Sequence, residues 1–209
     1  MQFLSIDLET TGLNPEKDQI LEFGCIIGDL DYNTDIMELP SWQTYFYYDR
    51  IEGDPFALGM NHEILTLIAK RPTGFEFIHP DELAGQLNDF LSRKLGKYAT
   101  NQDILVAGKN FDKFDRQFLN RLKRFNTYIN LTKGALDPGN LYFNPLLDTK
   151  LPSLKTCCER ANITPYKEHT ALGDARTVVA LIREYYHPTS NWTYNVGQTL
   201  KRTNKCSNI

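Results

Sequence analysis

Asp7 and Glu9 stand two residues apart near the start of the chain, in the string DLETTGL that runs from Asp7 to Leu13. On an extended strand, residues i and i+2 share a face and lie about 6.5–7 Å apart. Two carboxylates so placed can converge on a pair of divalent ions about 3.5–4 Å apart. A D-x-E alone arises by chance roughly once in a chain of this size, so an ordinary solvated strand end explains it about as well. The longer string is much rarer. Thr10, Thr11 and Gly12 place small polar groups and a flexible turn beside the carboxylates, and Leu13 adds an apolar side chain.

Further acids and a histidine follow the same pattern. Asp115 lies in KNFDKFDRQFL, in the first turn of a predicted helix, between Phe114 and Phe118. A carboxylate there also suits a helix N-terminus, and Asp112 is a good N-cap. Asp112 competes for the metal role. Asp115 is preferred because apolar residues frame it, while Asp112 reads as the cap. His169 and Asp174 share HTALGDA, the histidine just before a helix and the aspartate one turn into it. Each alone reads as a surface histidine or a first-turn acid. Their order along the chain, together with D-x-E and F-D, is what stands out.

The elements that must position these groups can be read from periodicity. Residues 2–8 alternate, with Leu4, Ile6 and Leu8 on one face and Phe3, Ser5 and Asp7 on the other. Residues 19–30 and 42–48 read as two more strands, the three forming an antiparallel meander. Helices are predicted at 61–70, 80–95, 113–125, 152–161 and 171–186, with a short strand at 103–107 and an irregular stretch at 126–151. This order predicts one α/β domain over residues 1–186, with antiparallel strands 1–3 followed by parallel strands and flanking helices. Residues 187–209 read as a polar tail.

Composition bounds the rest. The chain has 209 residues, 41% hydrophobic and 23% charged, as ordinary globular domains do. A net charge of −3 argues against gripping long duplex DNA by charge alone. Four clustered carboxylates holding two divalent ions would bring that charge past zero. No apolar run approaches the ~20 residues of a membrane span, and the N-terminus lacks a signal-peptide pattern, so a cytoplasmic protein is expected. Four cysteines without a C-x-x-C pair fit reduced thiols in such a compartment.

DLETTGL, FDRQFL and HTALGDA together resemble the three motifs of the DEDDh exonuclease superfamily, and LPSLKTCCERANI resembles the helix that precedes its last motif. The likeness runs over about residues 1–186. One departure is that the second motif often begins His-Asn, where Lys109, Asn110 and Phe111 stand here. A second is GMNHEIL at 59–65, a loose match to the segment bordering the substrate. The resemblance implies a ribonuclease H-like fold and 3′–5′ exonuclease activity on single-stranded nucleic acid, DNA or RNA, releasing 5′-mononucleotides. It implies two Mg²⁺ or Mn²⁺ ions on Asp7, Glu9, Asp115 and Asp174, with His169 as general base. Thr10, Thr11, Gly12, Leu13, Met60, Asn61 and Phe111 become the expected substrate contacts, with core packing the competing and favoured reading for Leu13, Met60 and Phe111. Arg116, Arg121, Lys123 and Arg124 could track phosphates or form a solvated helix face. Partners implied are 3′ ends of single strands and, beyond them, a polymerase or a second copy of the chain.

Overall fold

Two long strands carry the sheet. β1 (Gln2–Thr10) and β2 (Ile20–Asp29) pair antiparallel, with Gln2 opposite Asp29 and Glu9 opposite Glu22. Both are rich in Ile, Leu and Phe and are buried on both faces, which favours sheet over helix. β3 (Ser41–Phe46) adds antiparallel to β2. Two short strands run parallel to their neighbours, β4 (Phe77–Ile78) beside β3 and β5 (Val106–Ala107) beside β1. The order is β4-β3-β2-β1-β5. The mixed sheet expected from the sequence is therefore present. The computed structural model describes residues 1–30, 33–96, 103–167 and 169–187. Beyond His187, the predicted tail lies outside the described residues, and so does Cys206.

Helices cover both faces. α1 (Pro55–Met60) and α2 (His62–Lys70) follow β3, and α3 (Leu83–Leu95) follows β4. α4 (Asp115–Leu119), α5 (Phe125–Tyr128) and α6 (Pro138–Leu141) are short, and α7 (Leu154–Ala161) leads to the long α8 (Ala171–Tyr186). One core joins Leu4, Ile6, Leu8, Phe23 and Cys25 to Leu83, Leu87 and Phe90 of α3 and to Phe118 and Phe125. On the opposite face Ala175, Val178, Val179 and Ile182 of α8 pack against Phe3, Ile26 and Ala107. Each large aliphatic side chain so buried contributes roughly 1.5–3 kcal/mol. At its far end α8 is tied down by Arg183, which donates to the Asp29 carboxylate at 2.6 Å and to the Thr34 carbonyl at 2.7 Å.

Several local expectations are corrected. The helix predicted at 113–125 is broken into α4 and α5, and the strand predicted at 103–107 shrinks to β5 plus a bridge between Ile104 and Leu131. Asp112 does not cap α4. Its carboxylate accepts from Arg116 Nε and from the Ala135 amide, each at 2.8 Å, and so pins a loop 23 residues away. α1 was not expected, although its start signal is plain: Asp54 caps the Phe56 and Ala57 amides and Pro55 opens the helix. Three of the basic residues considered for phosphates are paired within the protein: Arg116 with Asp112, Arg121 with Glu16 and Lys123 with Asp81. Cys25, Cys157 and Cys158 are all buried. Among the described residues no helix is long and apolar enough to cross a membrane.

The first turn of α8 lies directly on β2. A Cβ at Gly24 would stand 2.2 Å from the Leu172 amide nitrogen and 2.4 Å from the Ala171 carbonyl carbon. These contacts are backbone and cannot swing aside. Gly24→Ala should push α8 off the sheet and destabilise the protein by about 1–3 kcal/mol in urea unfolding. Unchanged stability would show that the helix is not held this closely.

Candidate active site

The end of β1 carries Asp7 and Glu9 on the face that α8 covers. Ser5, two residues earlier on that face, donates to the Ala175 carbonyl at 2.9 Å and sets the height of the helix. Thr170 caps α8 by accepting from the Gly173 amide. Gly173 is required here, because a Cβ would lie 2.0 Å from the Lys167 carbonyl as the preceding loop folds back. With the first turn fixed in this way, Asp174 faces β1. Carboxylate oxygens of Asp7, Glu9 and Asp174 all lie within 4.8 Å of one another, and each side chain keeps some exposure.

Asp115 joins this group from the opposite edge of β1. It is 2% exposed, and its carboxylate accepts from its own amide and from that of Leu8. Its Oδ1 is buried with no hydrogen-bond partner among the described residues. A buried carboxylate oxygen left without a donor is costly unless something positive meets it. That orphan oxygen and the all-oxygen donor set fit hard divalent cations, as the sequence implied.

Electrostatics tell the same story. Burial, then the charges of Asp115, Asp174, Glu9 and Glu22, push the Asp7 carboxyl well above its ordinary range. Burial, then Glu22 and Asp174, raise Glu9 to about 8. Burial dominates again at Asp115, also raised to about 8. Glu22 was missed from the sequence. It is fully buried, directly opposite Glu9 in the β1–β2 register, and burial raises it to about 7. Its signal was a lone charge inside the apolar run ILEFG.

The remaining expected residues separate into two groups. Leu13 and Met60 are exposed beside the cluster's turn and its neighbouring helix, and Phe56 on α1, which the sequence reading passed over, is 76% exposed. Phe111, by contrast, is 1% exposed and packs in the core, so it offers no face to a ligand. Thr11 is fully buried, its hydroxyl accepting from the Gln19 amide and its carbonyl from that of Asp54. Thr10 donates to the Gly12 carbonyl. Gly12 closes against the Asp18 carboxylate, which a Cβ would meet at 2.3 Å. Asn61 is buried, donating to the Thr10 carbonyl at 3.0 Å and hydrogen bonding Glu9, which makes it a support for that carboxylate. His169 is exposed in the left-handed region, at φ 58°, immediately before the Thr170 cap.

Raised carboxyl pKa values have a definite sign for stability. The folded chain holds these protons more tightly than the unfolded chain, so metal-free stability is greatest in acid and falls as pH climbs from the usual carboxylate range through about 8. In chelator, the melting temperature should drop between about pH 5 and pH 8, and Asp7→Asn should blunt that drop. A profile identical in wild type and variant would mean that Asp7 is not crowded by the other carboxylates.

Solved structures share this arrangement of elements. Escherichia coli exonuclease I in complex with a dT13 oligonucleotide superposes with a TM-score of 0.60 at 18% identity, over 87% of this chain and 40% of that one. Exonuclease I from Methylocaldum szegediense gives 0.62 at 16% identity, over 90% and 41%. The nuclease domain of 3′hExo, a DEDDh family member, bound to rAMP, gives 0.62 at 17% identity, over 88% and 91%. The chain thus spans well under half the length of the exonuclease I proteins and nearly all of the 3′hExo domain. At these identities the likeness establishes the ribonuclease H-like fold. No curated protein matches the sequence at a significant level. The model of the RNase T exonuclease family matches residues 4–182, and the chain belongs to that family.

Proposed function

We propose that the protein is a divalent-metal-dependent 3′–5′ exonuclease that shortens single-stranded DNA or RNA to 5′-mononucleotides. The observation that carries this reading is the convergence of Asp7, Glu9 and Asp174 oxygens within 4.8 Å, with the orphan Oδ1 of Asp115 adjoining. Asp7, central in that group, would be shared between two ions, Glu9 and Asp174 completing one site and Asp115 serving the other. When bound, the two ions supply Lewis-acid stabilisation to the attacking and leaving oxygens of an in-line displacement. His169 would take the proton of the attacking water. Its position just ahead of α8, exposed to solvent, lets it pass that proton on.

The exposed apolar side chains Leu13, Phe56 and Met60 would meet the terminal bases. Stacking and wedging contacts of this kind tolerate any base, which suits an enzyme that must process every sequence. A splayed single strand fits such a rim better than a paired duplex end. The dT13 oligonucleotide on exonuclease I, the rAMP on 3′hExo and a zinc-bound exonuclease I–ssDNA complex support substrate, product and cation class. The 2′-hydroxyl alone separates RNA from DNA, and the scissile linkage is the same.

A single digest tests the proposal. Matched 5′-labelled DNA and RNA single strands with Mg²⁺ or Mn²⁺ should give ladders shrinking from the 3′ end, and a 3′-phosphate should block them. Asp7→Asn should be inactive. His169→Ala should lose about 10²–10⁴-fold in rate while still binding Mn²⁺. Cuts in circular single strands, or full activity of Asp7→Asn, would overturn the assignment.

A further inference from the structure

Glu22 has no place in the four-carboxylate scheme, yet it is the most enclosed acid near it. Its side chain is fully buried and stands on the same sheet face as Glu9, its cross-strand partner. Oε1 accepts from Gln43 Nε2 at 2.5 Å. The amides of Ala171 and Leu172, at the start of α8, face the carboxylate, and Lys167 adds positive charge from the preceding loop. Oε2 is nevertheless left without a hydrogen-bond partner among the described residues. A residue kept only for packing would be less costly as Gln or Leu, because burying an incompletely paired carboxylate beside four others costs several kcal/mol. That cost is relieved by a proton, or by positive charge that arrives nearby.

We infer that Glu22 is a positioning residue for the metal site, an outer carboxylate that touches no ion but adds negative charge behind Glu9 and fixes the first turn of α8 beside it. This inference rests on the metal-site reading above. Glu22 lies outside the trio whose oxygens come within 4.8 Å and stands on the neighbouring strand, opposite Glu9, and it is not assigned as a ligand. Its two attachments reach the two elements that the ligands come from. Gln43 holds it to the sheet that carries Asp7 and Glu9, and the Ala171–Leu172 amides connect it to the helix that carries Asp174. Groups set behind metal ligands in this way commonly change metal affinity about 10–100-fold.

Glu22→Gln removes the charge, keeps the size and keeps an oxygen for Gln43 and the helix amides. Mn²⁺ binding measured by calorimetry at about pH 8 should weaken about 10–100-fold. The melting temperature in chelator should rise, because one buried negative charge has gone. These opposite signs separate the inference from a structural role, in which affinity and melting temperature would fall together. Glu22→Asp, which restores the charge, should recover part of the affinity. Wild-type affinity in Glu22→Gln, or a lower melting temperature in chelator, would overturn the inference while leaving the metal site intact. If wild type itself bound no Mn²⁺, or if Asp7→Asn bound it equally well, the metal-site reading would fail and the inference with it.

Discussion

Like charges held together against their repulsion are the constraint on which the rest of the structure depends. Asp7, Glu9, Asp115, Asp174 and Glu22 come from β1, β2 and two helices, and their mutual proximity is unfavourable while they carry charge. The fold offsets that cost with apolar packing placed on either side of the site. The α8 face that includes Ala175, Val178, Val179 and Ile182 adheres to the sheet regardless of what Asp174 would prefer. Arg183 fastens the far end of the helix to Asp29, and Gly24 and Gly173 allow the near end to approach. The site is thus pre-formed by forces that do not involve a metal, which is the condition for placing ligands accurately.

The same logic explains the secondary supports. Asn61 bridges the Thr10 carbonyl and Glu9, so the junction of α1 and α2 holds the end of β1 in register. Asp112 clasps Arg116 and the Ala135 amide, closing the loop around α4 that presents Asp115. Lys109, where the sequence departs from the motif that it resembles, pairs with Asp137 at 3.5 Å. Asp137 also accepts from the Asn110 amide at 2.9 Å, so this departure stiffens the loop beneath the second motif.

Much of this was legible in the sequence where the physics is local. The alternation of residues 2–8 predicted β1, and the period of residues 171–186 predicted α8 with the bounds observed. The two-residue spacing of Asp7 and Glu9 and the first-turn placement of Asp174 follow from those periods alone. What was not legible depends on long-range register. Glu22 becomes part of the site only because β2 pairs with β1 so that it faces Glu9. Asp112 looks like a cap until its partner 23 residues away is known. Phe111 and Phe56 are the same residue type, and only tertiary packing buries one and exposes the other.

The central claim is that Asp7 is shared by two divalent ions lodged between the end of β1 and the first turns of α4 and α8. Anomalous diffraction from a crystal equilibrated with Mn²⁺ locates such ions directly. Two peaks about 3.5–4 Å apart, both within bonding reach of Asp7, with Glu9 and Asp174 on one and Asp115 serving the other, are the predicted result. Peaks elsewhere on the molecule, or none in this cluster at saturating Mn²⁺, would contradict it.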